Sequence, residues 1–186
     1  EITQLSRLTL FNISGNSIVE LPKELYKIKS LRILRANGNL LKSIPGKFKV
    51  MALEELYLSG NHLVTFPLVA LMLTRLKKLH LENNNIDVLP TYIHKMTALE
   101  ELNLTNCSIG TLDNVPGLGH LKRLRALYLR FNNFQSLPIT LALLSNTLEV
   151  LDVEDRLISP EARSMSIAEI MDYFTQRLHG KPQFFL

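Results

Sequence analysis

The chain is 186 residues long, carries a net charge of +4, and is 46% hydrophobic against 20% charged. That is the balance of a folded domain with room for a core, and it excludes disorder. With Cys107 as the one cysteine, a disulfide framework within the chain is excluded, and no apolar run approaches the ~20 residues of a membrane-spanning helix.

Leucine accounts for 38 residues, and its spacing organises the chain. In residues 1–7, Ile2 and Leu5 stand in the same phase before Leu8 as Leu25 and Ile28 do before Leu31. This stretch is therefore expected to be the remnant of an N-terminal repeat or cap. A first copy follows as Leu8, Phe11, Ile13, Asn16, Ile18, Leu21, Pro22. A second reads Leu31, Leu34, Ala36, Asn39, Leu41, Ile44, Pro45, and a third Leu53, Leu56, Leu58, Asn61, Leu63, Phe66, Pro67. The fourth is Leu76, Leu79, Leu81, Asn84, Ile86, Leu89, Pro90. The fifth, Leu99, Leu102, Leu104, Cys107, Ile109, Leu112, lacks the proline. The sixth is Leu124, Leu127, Leu129, Asn132, Phe134, Leu137, Pro138, and a decayed seventh is Leu148, Leu151, Val153, Arg156, Ile158. Successive copies start 22–25 residues apart.

Each L-x-L segment reads as a short strand, because alternation turns Leu56 and Leu58 inward and Glu55, Tyr57 and Ser59 outward. Asparagine at the ninth position can stack from copy to copy, its amide bonding the turn that leaves the strand. Asn16, Asn39, Asn61, Asn84 and Asn132 are assigned to this structural ladder. Cys107 is assigned to it as well, as a buried thiol with no positioned His–Asp pair to make it a nucleophile. Arg156 ends it. After each proline, apolar residues at the third and sixth positions (Leu25 and Ile28, Phe48 and Met51, Ile93 and Met96, Leu141 and Leu144) predict a 3₁₀ or single α turn on the opposite, convex side.

Three stretches depart from the plain repeat. Between Glu20 and Lys49 there are eight Lys or Arg against two Glu, a basic patch on the convex side of the first two copies. In Pro67-Leu-Val-Ala-Leu-Met-Leu73, Ala70 and Leu73 fill the core phase, leaving Leu68, Val69, Leu71 and Met72 to pack against flanking copies or to face outward. Residues 113–120, rich in Gly and Pro, read as an irregular and flexible convex loop. At the far end Ser166-Ile-Ala-Glu169 spells a capping box, and Ile167, Ile170, Met171, Phe174 and Leu178 form a helical stripe. Gly180 can stop this helix. Residues 159–186 are expected to cap the seventh copy, with Gln183–Leu186 docked on the cap or leading into further sequence.

The pattern L-x-x-L-x-L-x-x-N/C-x-L-x-x-L-P over residues 8–158 resembles the leucine-rich repeat family, in particular the class of the intracellular Ras-pathway scaffold and of several bacterial repeat proteins. The resemblance implies an α/β solenoid: a curved horseshoe with a parallel sheet on its concave face, short α or 3₁₀ segments on its convex face and a C-terminal capping helix. Residues 1–186 are then one domain.

Function is sought in the outward columns. The middle column reads Asn12, Arg35, Tyr57, His80, Asn103, Tyr128, Asp152, and the next reads Ser14, Asn37, Ser59, Glu82, Thr105, Arg130, Glu154. Arg35, Tyr57, His80, Glu82, Asn103, Tyr128, Arg130, Phe131 and Asp152 are the candidate partner-binding residues, since Tyr and Arg most often anchor interfaces and stacked repeats bind along their concave side. The residues after the first leucines, Arg32, Glu54, Lys77, Glu100, Arg125 and Glu149, alternate in sign, and so do Glu55, Lys78 and Glu101 beside them; these point to register and stability. His62, His80, His94, His120 and His179 show no metal spacing, and neither a phosphate loop nor a serine elbow occurs. The expectation is a non-enzymatic, monomeric module with no cofactor and no nucleic-acid partner, binding another protein in the cytoplasm. The alternative is a regulatory or targeting domain attached to a GTPase, kinase or ubiquitin ligase, or a bacterial effector acting in a host cytosol.

Overall fold

The computed structural model describes residues 5–157 and 166–178. Seven strands of three residues each form one parallel sheet in chain order: β1 Leu10–Asn12, β2 Ile33–Arg35, β3 Glu55–Tyr57, β4 Lys78–His80, β5 Glu101–Asn103, β6 Ala126–Tyr128 and β7 Val150–Asp152. The central residue of each strand faces the core. Leu34, Leu56, Leu79, Leu102 and Leu127 are fully buried, while Phe11 and Leu151, with a neighbouring strand on one side only, are half-buried. The register does not slip: Asn12, Arg35, Tyr57, His80, Asn103, Tyr128 and Asp152 pair directly in sequence. The columns read from the repeat are therefore physical rows of side chains, about 4.8 Å apart from strand to strand.

The return paths are 3₁₀ segments: Lys23–Lys27, Gly46–Val50, Leu68–Met72, Ile93–Lys95, Pro116–His120 and Ile139–Leu144, with a short Asp155–Leu157 after β7. Four of them follow a proline directly and close with an i→i+3 bond, as Ile28 N–H to the Leu25 carbonyl at 3.0 Å. The third and sixth positions after the proline sit in the core, Leu25 with Ile28 and Phe48 with Met51. Position three in the third copy is Ala70, and there the fate of the apolar surplus is divided. Val69 and Leu71 are half-buried, whereas Leu68 and Met72 face outward.

The stretch 113–120 is not the irregular loop its composition suggests. A turn absorbs the added residues, Pro116–His120 forms a 3₁₀ segment, and Gly117, Leu118 and Gly119 are buried. The glycines are there for clearance. A Cβ on Gly117 would stand 2.7 Å from the Thr91 carbonyl oxygen, and one on Gly119 would overlap the Thr140 carbonyl of the next copy.

Asparagines tie the turns together on the other side. The Asn61 amide donates to the Ala36 carbonyl at 3.0 Å and the Leu58 carbonyl at 2.9 Å, and its oxygen accepts from Leu41 N–H at 3.0 Å. Asn39 and Asn84 repeat the arrangement, while Asn16, at the start of the row, is exposed and bonds within its own turn. Cys107 occupies its rung as a fully buried thiol, with Sγ 3.2 Å from the Leu81 carbonyl, and burial pushes its pKa up to about 12. Arg156 closes the row, its guanidinium donating back to the Asn132 and Phe134 carbonyls.

The helix α1, Ile167–Leu178, begins with the capping box: Ser166 N–H donates to the Glu169 carboxylate at 2.7 Å, and this bond holds the Glu169 carboxyl below its usual range. Ile170, Met171 and Phe174 are buried, and the helix packs on Ile139–Leu144. The proposed stop at Gly180, the tail Gln183–Leu186, and residues 1–4, 158–165 and 179–182 lie outside the described residues.

Candidate functional site

The concave face carries two clusters, both built by register. In the first, β2 to β5 hold a continuous run of contacts. The Arg35 guanidinium lies 5.4 Å from the centre of the Tyr57 ring, and Tyr57 meets the His80 ring edge-on at 4.8 Å. The Tyr57 hydroxyl donates to Glu55 at 2.8 Å, and His80 Nε2 lies 2.9 Å from Glu101. On its other side His80 Nδ1 stands 3.9 Å from Glu82. The second cluster sits on β6 and β7 and the turns that follow. Arg130 Nε pairs with Asp152 at 2.6 Å, and the Phe131 N–H donates to Glu154 at 2.6 Å. Tyr128 stands half-buried in the same row as Asp152, and Asn103, between the clusters, uses its oxygen to accept from Thr105 N–H.

Phe131 is the unusual member. It is 66% exposed and has φ +60°. The same place in earlier copies is held by Gly15, Gly38, Gly60, Asn83 and Asn106, all with positive φ. Glycine and asparagine tolerate this left-handed conformation, whereas a bulky side chain costs about 1–2 kcal/mol there. The Glu154 hydrogen bond holds the strained backbone in place.

Glu55 and Glu101 belong to the site although the alternation of charge pointed to register alone. Glu101 does both, pairing with Lys78 at 3.4 Å and with His80. The signal was available in the spacing, since Glu55 and Tyr57 stand two apart on one strand and share a face. The outer charged row behaves as a register device: Glu54 meets Lys77 at 2.8 Å and Arg32 at 3.9 Å, and Arg125 meets Glu149 at 2.7 Å. These pairs are exposed and screened by solvent, so they favour the register and add little to stability.

Burial, reinforced by the hydrogen bond to Glu55, pushes the Tyr57 phenol up to about 12. The folded chain keeps a proton that an unfolded tyrosine loses near pH 10. The contribution is thus complete below pH 10 and is lost as pH rises through the window between 10 and 12. Phenolate absorbance should show a step near pH 12 that Tyr57→Phe removes, and the variant should lose part of the alkaline fall in urea-unfolding stability. An unchanged titration in Tyr57→Phe would show that the phenol is not held this way.

Three side-chain oxygens of the concave floor, Ser59 Oγ, Glu82 Oε2 and Glu154 Oε2, are buried without a hydrogen-bond partner among the described residues. All three belong to the column that reads Ser14, Asn37, Ser59, Glu82, Thr105, Arg130, Glu154. No group of His, Cys, Asp and Glu among the described residues is arranged to hold a metal, and no described helix is long and apolar enough to cross a membrane.

The family model for the leucine-rich repeat matches residues 51–109 and 74–134. A PHLPP-like protein phosphatase of Drosophila melanogaster is 41% identical over 68 residues, which are 37% of this chain and 7% of that protein. Among solved structures, a leucine-rich repeat protein of Leptospira interrogans superposes with a TM-score of 0.65 at 26% identity, covering 81% of this chain and 44% of that one. The Arabidopsis receptor kinase HAESA, in complex with the peptide hormone IDA and the co-receptor SERK1, gives 0.68 at 30% identity, covering 80% of this chain and 26% of that one. The chain thus spans less than half the length of each of these proteins.

Proposed function

The chain belongs to the leucine-rich repeat family, whose domains typically mediate protein–protein interaction, and from that premise we propose that its concave face binds a second protein. The observation that carries the reading is the run of Arg35, Tyr57 and His80 across three neighbouring strands, with the 66%-exposed Phe131 at the other end of the same face. Arg35, Tyr57 and His80 at one end and Tyr128, Arg130 and Phe131 at the other are the anchors, with Asn103 and Asp152 between and beside them. The solved complex of HAESA with a peptide hormone supports a protein or peptide ligand for this architecture.

Mechanistically the solenoid is a rigid display, with seven strands spanning about 30–35 Å. Changing Tyr57, His80, Tyr128 and Arg130 together to alanine should abolish capture of the partner while shifting unfolding by about 1 kcal/mol or less per lost pair, because those pairs are partly solvated. A partner retained at full affinity by this quadruple variant would overturn the assignment.

A second reading is favoured by the lengths of the relatives: the domain regulates or targets an enzyme in a larger protein, as the 7% share of the phosphatase relative suggests. Attachment of a catalytic domain in the full open reading frame distinguishes it. In either case we place the chain in a reducing, cytoplasmic compartment as a monomer that needs no cofactor.

A further inference from the structure

The chain's positive charge comes from one window. Residues 20–49 hold eight Lys or Arg against Glu20 and Glu24, a net +6, so the remainder sums to −2. Folding collects the exposed Lys27, Lys29, Lys42 and Lys47 around the return paths of the first two copies. Lys29 and Lys47 approach the same ring, that of Tyr26, at 5.7 and 5.2 Å. Tyr26 thus holds two ammonium groups from neighbouring copies close together. Among the described residues none of these four lysines forms a salt bridge, in contrast to Arg32, Lys77, Lys78, Arg125 and Arg130 on the concave side.

The adjoining return path supplies the opposite character. Leu68–Met72 packs beside Gly46–Val50, and Leu68 is 62% and Met72 54% exposed, because Ala70 and Leu73 already fill the core positions. Where the two copies meet, a recess of about 280 Å³ is lined by Ile44, Gly46, Phe66, Pro67, Leu68 and Val69, among others. That lies just below the range of small-molecule sites, roughly 300–1,000 Å³, and suits a single large side chain. Lys42 and Lys47 are the chain neighbours of the lining residues Ser43 and Gly46.

We propose that the convex face of the first three copies is a second docking surface, for a short acidic amphipathic segment of another protein. One apolar side chain of that segment fills the recess beside Leu68, and flanking Asp or Glu side chains meet Lys27, Lys29, Lys42 and Lys47. Charge complementarity selects an acidic occupant, since these ammonium groups have no carboxylates of their own. The recess selects a peptide over a bilayer: a membrane takes up protruding side chains and has no use for a concavity. The proposal is independent of the concave face.

The test is selection of a displayed random peptide library on the full chain, followed by fluorescence anisotropy with the synthesised consensus peptide. The expected consensus places a Phe or Leu among acidic residues. Its affinity should fall at least about tenfold with the double change Lys42→Glu and Lys47→Glu, and separately with Leu68→Asp. It should weaken as salt is raised, and it should be untouched by the quadruple concave variant. The lysine and Leu68 substitutions are at exposed positions, and unchanged circular dichroism and unfolding midpoints of those variants verify the fold. A consensus without acidic residues, the absence of any enriched consensus, or affinity indifferent to the lysine changes overturns the proposal. So does lysine-dependent binding to phosphatidylserine–phosphatidylcholine vesicles without binding to the peptide, which would make the surface a membrane contact.

Discussion

Replacing Asn132 with alanine lowers the unfolding free energy by roughly 4 kcal/mol or more, about twice the loss from the same change at Asn61. The two residues occupy equivalent rungs and differ in what stands next to them. Around Asn61 each core carbonyl is served twice: Ala36 accepts from Asn39 and Asn61, and Leu58 accepts from Asn61 and Asn84. Deleting the Asn61 side chain therefore leaves Leu41 N–H as the main orphan. Asn132 has no such cover. Its amide donates to the Leu104 and Leu129 carbonyls at 2.8 Å each, and its oxygen accepts from Ile109 N–H at 2.9 Å and Cys107 N–H at 3.3 Å. Below it stands Cys107, whose thiol is bonded to Leu81 and Thr105, and above it Arg156, which reaches other carbonyls. Four buried backbone groups lose their ladder partner at once, each costing about 1–3 kcal/mol when left unmade. Urea unfolding of both variants decides the matter, and equal losses would mean that the rungs are interchangeable.

Gly119→Ala should destabilise the chain by about 3 kcal/mol, although the change adds one methyl group. The added carbon would overlap the Thr140 carbonyl, which is backbone and has no rotamer with which to retreat. Relief requires the return paths of copies five and six to separate along their packed contact. Gly117→Ala meets Thr91 O at 2.7 Å and the His94 ring at 2.9 Å. The ring can swing aside but the carbonyl cannot, so the expected loss is smaller, roughly 1–3 kcal/mol. Gly110 has nothing within 4 Å of a Cβ, and its alanine variant should lie within about 0.5 kcal/mol of the parent. The order Gly119, Gly117, Gly110 in thermal unfolding is the result to check; a neutral Gly119→Ala would show that the two copies are not in close contact.

The fold was legible because the same apolar places recur in every copy, so errors at one copy are corrected by the next. Leu34, Leu56, Leu79, Leu102 and Leu127 could be placed in the core and Arg35, Tyr57, His80, Asn103 and Tyr128 on the face by counting alone. Residues 113–120 misled for a physical reason. Gly and Pro signal a break in local backbone preference, but Gly117 and Gly119 answer a demand for space made by Thr91 and Thr140, which are distant in sequence. The candidate site was legible as rows and illegible as contacts. Register determines that Tyr57 neighbours His80, whereas the turn of Glu55 toward Tyr57 and of Glu101 toward His80 depends on rotamers. The strained backbone of Phe131 carries no local signature. Its sign lay in comparison between copies, where Gly15, Gly38 and Gly60 and then Asn83 and Asn106 hold the place that Phe131 takes.

An aromatic residue that joins a complex ordinarily surrenders conformational freedom at that moment, at about 0.5–1.5 kcal/mol for a freely rotating side chain. At Phe131 the direction of the Cα–Cβ bond is already settled by a left-handed backbone and by the carboxylate of Glu154 on its amide. The ring still turns about χ1 and χ2, so folding fixes the side from which the proposed partner would meet Phe131 and leaves the rotamer entropy to be lost on binding.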